Sequence, residues 1–429
     1  INNVANDVPD SAPTVTAEGV LTGATPAMTY SSAAANAMTV GTAGGQLSVA
    51  LASDSASAAM MAAGTTVNLA AFSFLATTTE DVEFDYLYLT QVQTLTASSS
   101  YKDYDSIWFE DAAGKKIAGT EMTPTSTIPY IDFADEAFVV EADGSAEVLY
   151  LKAKLAAVGS CASLTCTGAN GRPANQLGYK ITTASTDVVA VGHNTGSGTT
   201  EYAGTITPTG KTHYVYKAYP TVAKQALGTN TLANGTRDLY KFQVSANNGD
   251  IALGGFTFDI ATTTAVVTQS TCYLYDVTTT SQIQVNDTGA CGATSATAGV
   301  TSTWYGTGIV VQMAGYTDGW DTNLTNDQIV VSTALPRTFV LRGNITGAAA
   351  GASVTTGMAG DSATIVGATD IGNYNMATAE DVDDSGVHND FIWSDMNDNG
   401  HSADTTDWTN GYLVSGLNSS TSTLETVAL

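Results

Sequence analysis

The sequence predicts an all-β protein made of consecutive β-sandwich domains. Three observations support this: apolar residues alternate in short runs, helical spacing is nowhere sustained, and blocks of the first half reappear in order in the second. Alternation is the period of a strand with one buried face. Short strands separated by turn residues are typical of a sandwich. At 429 residues the chain is longer than a usual domain of roughly 100–200 residues, so two or three domains are expected.

The internal repeat has four blocks. In the first block, residues 64–89 align with 235–258, and both begin with Gly-Thr and place Phe72 against Phe242 before a polar turn and an alternating strand. The second block pairs IWFED at residues 107–111 with YLYDV at 273–277. The third pairs VLYLKAKL at 148–155 with TFVLRGNI at 338–345, and the fourth pairs TDVVAVG at 186–192 with ATIVGAT at 363–369. This order predicts two homologous units.

The predicted domains are tandem immunoglobulin-like β-sandwiches at residues 37–195 and 205–375. Each exceeds the roughly 100 residues of a minimal immunoglobulin-like domain, and insertions between strands account for the difference. Residues 1–36 match neither repeat and form either a flexible arm or a strand supplied to a neighbouring subunit. The Gly/Thr/Pro-rich stretch 193–211 is a linker or domain crossover. Residues 376–429 are an acidic and aromatic segment, either a third small domain or an extension of the second sandwich.

The charge balance excludes some partners and favours the cell exterior. The chain has 41 acidic and 14 basic residues and a formal charge of −27. Binding nucleic acid needs clustered Lys and Arg, so nucleic acid is excluded as a partner. No apolar run reaches 18 residues, so no membrane span is expected. The chain begins at Ile1, which indicates that a signal peptide has been removed or that the sequence is trimmed. We therefore expect an extracellular protein.

The four cysteines form two close pairs, Cys161 with Cys166 and Cys272 with Cys291. An even count in an exported chain predicts two local disulfides. Free buried thiols or a metal site are the alternatives, although no CxxC motif is present.

A calcium loop is predicted in the C-terminal segment. Asp395, Asn397 and Asn399, followed by Gly400, match the start of a loop that places oxygen ligands at alternate positions. Its usual closing Glu is replaced by Thr406, with Asp404 and Asp407 nearby, so the predicted site is irregular and weak. The alternative is a solvated acidic turn. A second acidic cluster at residues 380–384 is either a calcium bridge between subunits or a solvated charge run.

Trp393, Trp408 and Tyr412 have two interpretations. Their rings are suited to stacking on a sugar, but they stand among apolar residues, which favours core or interface anchors.

No catalytic constellation is found, so we expect a protein that is not an enzyme. The histidines are His193, His213, His388 and His401, and none lies in an HExxH or beside a GxSxG motif. Five N-x-[S/T] motifs are possible glycosylation sites in an exported chain, at Asn234, Asn286, Asn323, Asn344 and Asn418.

The C-terminal segment resembles a known kind of tail. FIWSD at 391–395, His401-Ser402, and DWTNGYLVSGL at 407–417 resemble the tail of tandem β-sandwich surface proteins from small-genome, host-associated bacteria. The resemblance implies an exported surface-layer or appendage protein, with no catalytic residues to carry over. Where that family has a Ser-rich stretch, this sequence has Met396 to Gly400, which is part of the predicted calcium loop.

The expected function is a non-enzymatic structural subunit of an extracellular cell-surface assembly, a surface layer or a filament, that self-associates through sandwich edges and loops. Its partners would be further copies and the cell envelope. The alternative is an adhesin that binds a host glycan or protein. A polysaccharide hydrolase would need two convergent carboxylates in a groove.

Overall fold

A computed structural model of the chain describes residues 47–76, 80–92, 100–133, 135, 137–162, 165–167, 171–181, 188–194, 208–267, 272–279, 283–284, 308–312, 329–358, 360–362, 391–398, 407–417 and 423–429. Within these ranges every regular element is a β-strand, except for one 3-10 helix at Ser100–Asp103.

The strands up to the junction between the two halves are β1 (Leu47–Leu51), β2 (Met60–Ala62), β3 (Thr66–Ala76), β4 (Val82–Tyr88), β5 (Thr90–Gln91), β6 (Tyr104–Glu110), β7 (Tyr130–Asp132), β8 (Val139–Val140), β9 (Glu147–Leu155), β10 (Ser160–Ala162), β11 (Thr165–Thr167), β12 (Gln176–Leu177), β13 (Tyr179–Lys180), β14 (Val188–Gly192) and β15 (His213–Tyr216). The strands of the second half are β16 (Tyr219–Lys224), β17 (Gly235–Asn247), β18 (Ile251–Thr263), β19 (Val266–Val267), β20 (Tyr273–Asp276), β21 (Ile283–Gln284), β22 (Gly308–Gln312), β23 (Ile329–Val331), β24 (Arg337–Thr346), β25 (Ser353–Met358), β26 (Phe391–Ser394), β27 (Trp408–Thr409) and β28 (Thr423–Ala428).

The first half folds as a sandwich of two sheets. Sheet I has the strand order β1-β3-β9-β6, and sheet II has the order β14-β4-β7 with β8 also paired to β4. Their inward residues share one core, in which Phe74 of sheet I meets Phe84 of sheet II edge to face with ring centroids 5.2 Å apart. Alternating apolar residues place one face of each strand in this core.

The second half repeats this architecture. Sheet III has the order β16-β17-β24-β20-β21 with β19 on β24, and sheet IV has the order β27-β26-β18-β25-β28 with β22 and β23 on β18. Phe242 of sheet III and Phe256 of sheet IV pack edge to face at 5.1 Å in its core. The prediction of an all-β chain with tandem sandwiches is confirmed. Residues 1–36, the predicted arm, lie outside the described residues.

Three of the four repeat blocks correspond to strands with the same neighbours. The order β1-β3-β9-β6 in sheet I matches β16-β17-β24-β20 in sheet III. Both sheets also have a β-bulge at the same aligned position, because the register shifts at Leu69 in one half and at Leu239 in the other. A β-bulge inserts one extra residue into a strand and increases the local twist. Both leucines are fully buried, so the bulge adds an apolar side chain to each core.

The fourth block pair has a different outcome. Its second member, residues 363–369, lies outside the described residues. In the first sandwich β14 pairs with β4, and in the second β26 pairs with β18 at the equivalent position. Both pairings have a register shift at aligned residues, Asp85 on β4 and Gly254 on β18. The C-terminal segment therefore supplies strands to sheet IV and extends the second sandwich.

The two sandwiches are joined by a shared strand directly after the predicted linker. All four residues of β15 are buried, and β15 pairs with β2 in parallel and with β12 antiparallel. Val215 faces the first core, whereas Tyr214 and Tyr216 face the second. Both sandwiches belong to one compact unit.

Candidate functional site

The tryptophans of the C-terminal segment lie inside the second sandwich. Trp393 and Trp408 are at most 1% exposed, so the interpretation as core anchors is confirmed and neither ring is available to a sugar. The Trp393 ring packs on Tyr216 with centroids 4.9 Å apart, and its Nε1 donates a hydrogen bond of 2.7 Å to the Asn410 carbonyl oxygen. Tyr412 is half-buried and meets Tyr214 edge to face at 5.5 Å.

Two glycines of the same segment are required by close packing. A Cβ on Gly416 would lie 1.6 Å from the Val222 carbonyl oxygen, and the Gly416 φ is +92°. A Cβ on Gly411 would lie 2.8 Å from the Cβ of Phe391. Both distances are too short for any side chain, so these glycines let the tail pack directly against its neighbours.

Two of the predicted calcium ligands are described, and both are buried. The Asp395 carboxylate accepts a hydrogen bond of 2.9 Å from the Lys217 backbone N–H and another from the Asn397 side-chain amide. Burial raises the pKa of Asp395 to about 6. Asn399 and Asp404 lie outside the described residues. Both carboxylate oxygens of Asp395 thus have protein donors, and the calcium site stays a prediction.

Two further buried acids accept hydrogen bonds, Asp361 before the tail and Asp407 within it. The Asp361 Oδ2 accepts hydrogen bonds from Gly411 N at 2.6 Å and Phe391 N at 3.2 Å. Asp407 accepts one from the Ser394 hydroxyl at 2.9 Å. Within the described part of the chain, His, Cys, Asp and Glu side chains form no group of three placed to hold a metal ion. The described polar residues of the tail therefore stabilise the fold.

The cysteines are placed only in part. β10 and β11 put Cys161 opposite Cys166 in an antiparallel pair. Cys272 is fully buried and disulfide-bonded, whereas Cys291 lies outside the described residues. The two predicted pairings stay predictions.

Two histidines are described. His193 is exposed, and its Nδ1 lies 2.7 Å from the Glu83 Oε2. His213 is buried on β15 with its Nε2 2.9 Å from the Leu69 carbonyl oxygen, and burial lowers its pKa. His388 and His401 lie outside the described residues.

Two of the five glycosylation motifs are described. Asn234 is exposed, and its Oδ1 accepts a hydrogen bond of 2.9 Å from Ala348 N, while Asn344 is half-buried on β24. The other three asparagines lie outside the described residues.

Another buried carboxyl belongs to Asp103, close to the three-stranded sheet formed by β12, β15 and β2. Asp103 is 2% exposed and accepts hydrogen bonds from Arg172 N at 3.0 Å and from the Asn175 amide at 2.8 Å. Desolvation is the largest effect on this group, and it raises the pKa of Asp103 to about 7. Asp103 therefore connects the 3-10 helix to the segment before β12.

The surface feature that the sequence interpretation missed is an aromatic patch on the outer side of sheet II. We call it the tyrosine face and define it by Tyr86, Tyr88, Ile128 and Tyr130. Tyr86, Ile128 and Tyr130 are 40%, 52% and 51% exposed, whereas most large apolar side chains among the described residues are buried. Contiguous exposed apolar side chains mark interaction surfaces. The outward alternation of DYLYL at residues 85–89 is the sequence signal that predicts such a face.

The rings of the tyrosine face are tilted relative to one another. Tyr130 meets Tyr86 at 6.3 Å with an interplanar angle of 80°, and Tyr88 at 5.7 Å with an angle of 44°. Asp132 lies opposite Tyr86 in the register of β7 and β4. Tilted phenol rings beside a carboxylate suit the insertion of a cationic side chain.

No protein-family model and no curated protein matches the chain. Solved structures similar to it include the C-terminal domain of the AgI/II polypeptide BspA of Streptococcus agalactiae, with 9% identity, a TM-score of 0.19, and coverage of 73% of this chain and 95% of that chain. Another is the serine-rich repeat protein Srr2 of Streptococcus agalactiae, with 10% identity, a TM-score of 0.18, and coverage of 73% and 87%. A third is the collagen-binding domain of the Erysipelothrix rhusiopathiae surface protein RspB, with 9% identity, a TM-score of 0.15, and coverage of 71% and 84%.

TM-scores below 0.2 carry no weight for fold or partner. The fold of this chain rests on its own strand pairing, and its function on its own surface. Within the described residues, no helix is long and apolar enough to cross a membrane.

Proposed function

We propose that the chain is a non-enzymatic structural subunit of an extracellular cell-surface assembly. The observation that carries the proposal is the single body formed by the two sandwiches, in which β15 gives alternate side chains to both cores. A shared strand resists bending between domains, so the pair acts as a stiff building block. Such a block can transmit a repeat spacing, which a flexibly linked pair cannot.

Composition supports a location outside the cell. A formal charge of −27 and a Thr- and Ser-rich sequence suit an exported protein that stays soluble until it meets its neighbour. The tail resembles those of exported tandem-sandwich surface proteins from small-genome, host-associated bacteria. In this chain the tail motif is a folding element, because its aromatic rings and glycines complete the second sandwich.

The buried acids in and beside the tail support a non-enzymatic role. Asp361, Asp395 and Asp407 accept hydrogen bonds from backbone N–H groups or side chains, so they hold neighbouring segments together. Calcium remains part of the proposal at Asp395, Asn397, Asn399 and Asp404, as a weak extracellular site that would tighten the tail.

An adhesin is the second candidate, and the tyrosine face is the observation that favours it. Exposed aromatic rings anchor protein and glycan partners. The face is therefore either the contact with a further copy or the contact with a host molecule, and the two candidates differ in what occupies it.

Sedimentation velocity over a wide range of concentration, with calcium and with a chelator, separates the two candidates. A structural subunit gives larger species as concentration rises. A chain that stays monomeric in both conditions and binds one glycan class saturably on an array is an adhesin, and that result overturns the structural proposal.

A further inference from the structure

The outer side of sheet II combines exposed aromatic rings with carboxylates. Tyr86 and Tyr130 of the tyrosine face are 40% and 51% exposed. Asp132 of β7 lies opposite Tyr86 in the strand register, so its side chain leaves the sheet on the same side as that ring. Asp85 is exposed at the register shift of β4, immediately before Tyr86. The aromatic patch therefore lies beside negative charge.

The strands of sheet II contain no lysine or arginine to balance these acids. Residues 80–92, 127–147 and 188–194 include every strand of sheet II and the connection from β7 to β8, and their sequence has no Lys and no Arg. The nearest lysine in the strand register is Lys180, which pairs with Thr90 beyond the end of β4. By comparison, the strands of sheet III contain five basic residues. The charge of the tyrosine face is thus not offset by its own sheet.

Two contacts elsewhere in the chain show how it holds a cation against an aromatic ring. The Lys116 Nζ lies over the Trp108 ring, 4.3 Å from its centroid, and 2.6 Å from the Glu121 Oε2. The Arg342 guanidinium lies over the Tyr275 ring at 4.7 Å, and its Nε bonds a carboxylate oxygen at 2.6 Å. In both contacts a ring and a carboxylate share one cation. The tyrosine face has rings and carboxylates side by side, and neither contact uses its tyrosines.

We infer that the tyrosine face binds a Lys- or Arg-rich segment of another protein. Charge complementarity identifies this occupant, because aromatic rings attract a cation and carboxylates accept charge-assisted hydrogen bonds from it. A second copy is a poor occupant, since it brings a further charge of −27. The inference goes beyond the proposed function, because a subunit of an assembly can display this face to a different protein. It holds whether or not copies self-associate.

The spacing of the rings defines the segment further. The Tyr130 centroid is 6.3 Å from that of Tyr86 and 5.7 Å from that of Tyr88. Alternate residues of an extended segment are about 6.5 Å apart and point to the same side. The apolar stems of Lys and Arg pack on aromatic and aliphatic side chains while their heads reach a carboxylate. An extended segment with cations at alternate positions therefore matches the face.

The experiment is a fluorescence anisotropy titration of a labelled octapeptide of alternating Arg and Ser with the full chain, at physiological salt. An octapeptide of alternating Gln and Ser is the neutral probe. The native chain is expected to bind the arginine peptide saturably and at least about tenfold more tightly than the glutamine peptide. Replacing both Tyr86 and Tyr130 with Ser changes no charge, and it is expected to weaken binding about tenfold through the loss of two exposed cation–π contacts.

Matched variants separate this surface from the general negative charge of the chain. Tyr273→Ser removes an outward tyrosine from β20 of sheet III and is expected to leave the affinity unchanged. Asp132→Asn and Asp105→Asn remove the same charge, but Asp105 is exposed on β6 of sheet I. We expect Asp132→Asn to weaken binding about threefold and Asp105→Asn to have no effect. All variants should keep the native far-UV circular dichroism.

Several results would overturn the inference. If the double tyrosine variant binds like Tyr273→Ser, or Asp132→Asn like Asp105→Asn, the attraction is diffuse and the face is not its site. Equal binding of the glutamine peptide would also refute it, as would self-association that is lost in the double tyrosine variant while peptide binding stays unchanged. A chain that stays monomeric at every concentration but binds the arginine peptide through this face contradicts the proposed function and supports the inference.

Discussion

At the scale of single residues, the distinctive tail is explained by packing. Trp393 and Trp408 fill the second core, and Gly411 and Gly416 stand where a Cβ has no room. The same residues that make the tail recognisable in the sequence are those that the fold cannot replace.

Gly416 and Gly144 form a matched pair that tests this explanation. Their φ angles are +92° and +87°, so replacing either with Ala causes similar backbone strain. A Cβ at Gly144 meets nothing within 4 Å, whereas at Gly416 it overlaps the Val222 carbonyl. We expect Gly144→Ala to lower the free energy of unfolding by about 1 kcal/mol and Gly416→Ala by more than about 3 kcal/mol. Urea denaturation measures both, and equal losses would contradict the close contact.

The pKa of Asp103 predicts a pH dependence of stability. Its pKa is about 7 in the folded chain against an ordinary value of 3.8, so between about pH 4 and 7 the folded state holds a proton that the unfolded state has released. The free energy of unfolding therefore falls through this window as pH rises, by up to about 4 kcal/mol. Relative to Asp103→Asn, which has no proton to lose, the native chain should lose stability between pH 4 and 7. A difference that stays constant over this range would refute the assignment.

Some residue roles are visible in the sequence and others are not. The Trp pair in FIWSD and DWTN stands among apolar neighbours, so burial was predictable. The partners of Asp395 were not predictable, because Lys217 is distant in sequence and approaches only when β15 and β26 pack together. A D-x-N-x-N-G motif is the same in the sequence whether its Asp is solvated, binds calcium or accepts a hydrogen bond from a backbone N–H.

At the scale of elements, alternation and the repeat predicted most of the strands. The aligned phenylalanines Phe72 and Phe242 lie on β3 and β17, which have equivalent neighbours. The role of β26 was not predictable, since residues 363–369 matched the β14 block better by sequence. Neither was the role of β15 predictable: all four residues of HYVY are buried, including the polar His213, so no alternation of polar and apolar residues marks an outer face.

Because β15 contributes side chains to both cores, we expect the two sandwiches to unfold together. Val215 lies in the first core, so Val215→Ala should destabilise the chain by about 1–2 kcal/mol. Because β15 also contributes Tyr216 to the second core, backbone hydrogen exchange should rise in both β9 and β18. Val189→Ala, a half-buried change on β14, is the control and should leave exchange in β18 unchanged. Faster exchange in β9 alone would show that the sandwiches unfold independently.

At the scale of the whole molecule, the two sandwiches form one compact unit, and the strands of sheets II and III differ in net charge. The sequence shows the overall charge of −27, but the division between sheets II and III depends on which strands become neighbours. The repeat predicts two sandwiches, but which residues share a surface depends on the pairing of the strands in the fold.

Electron microscopy of the purified full chain at high concentration tests the structural role most directly. The account predicts ordered filaments, rings or sheets whose repeat matches the length of one two-sandwich body. Repeating the measurement with calcium and with a chelator shows whether the predicted calcium loop contributes to the ordered assembly. Dispersed monomers in every condition, at concentrations where the native chain is folded, would contradict the central claim.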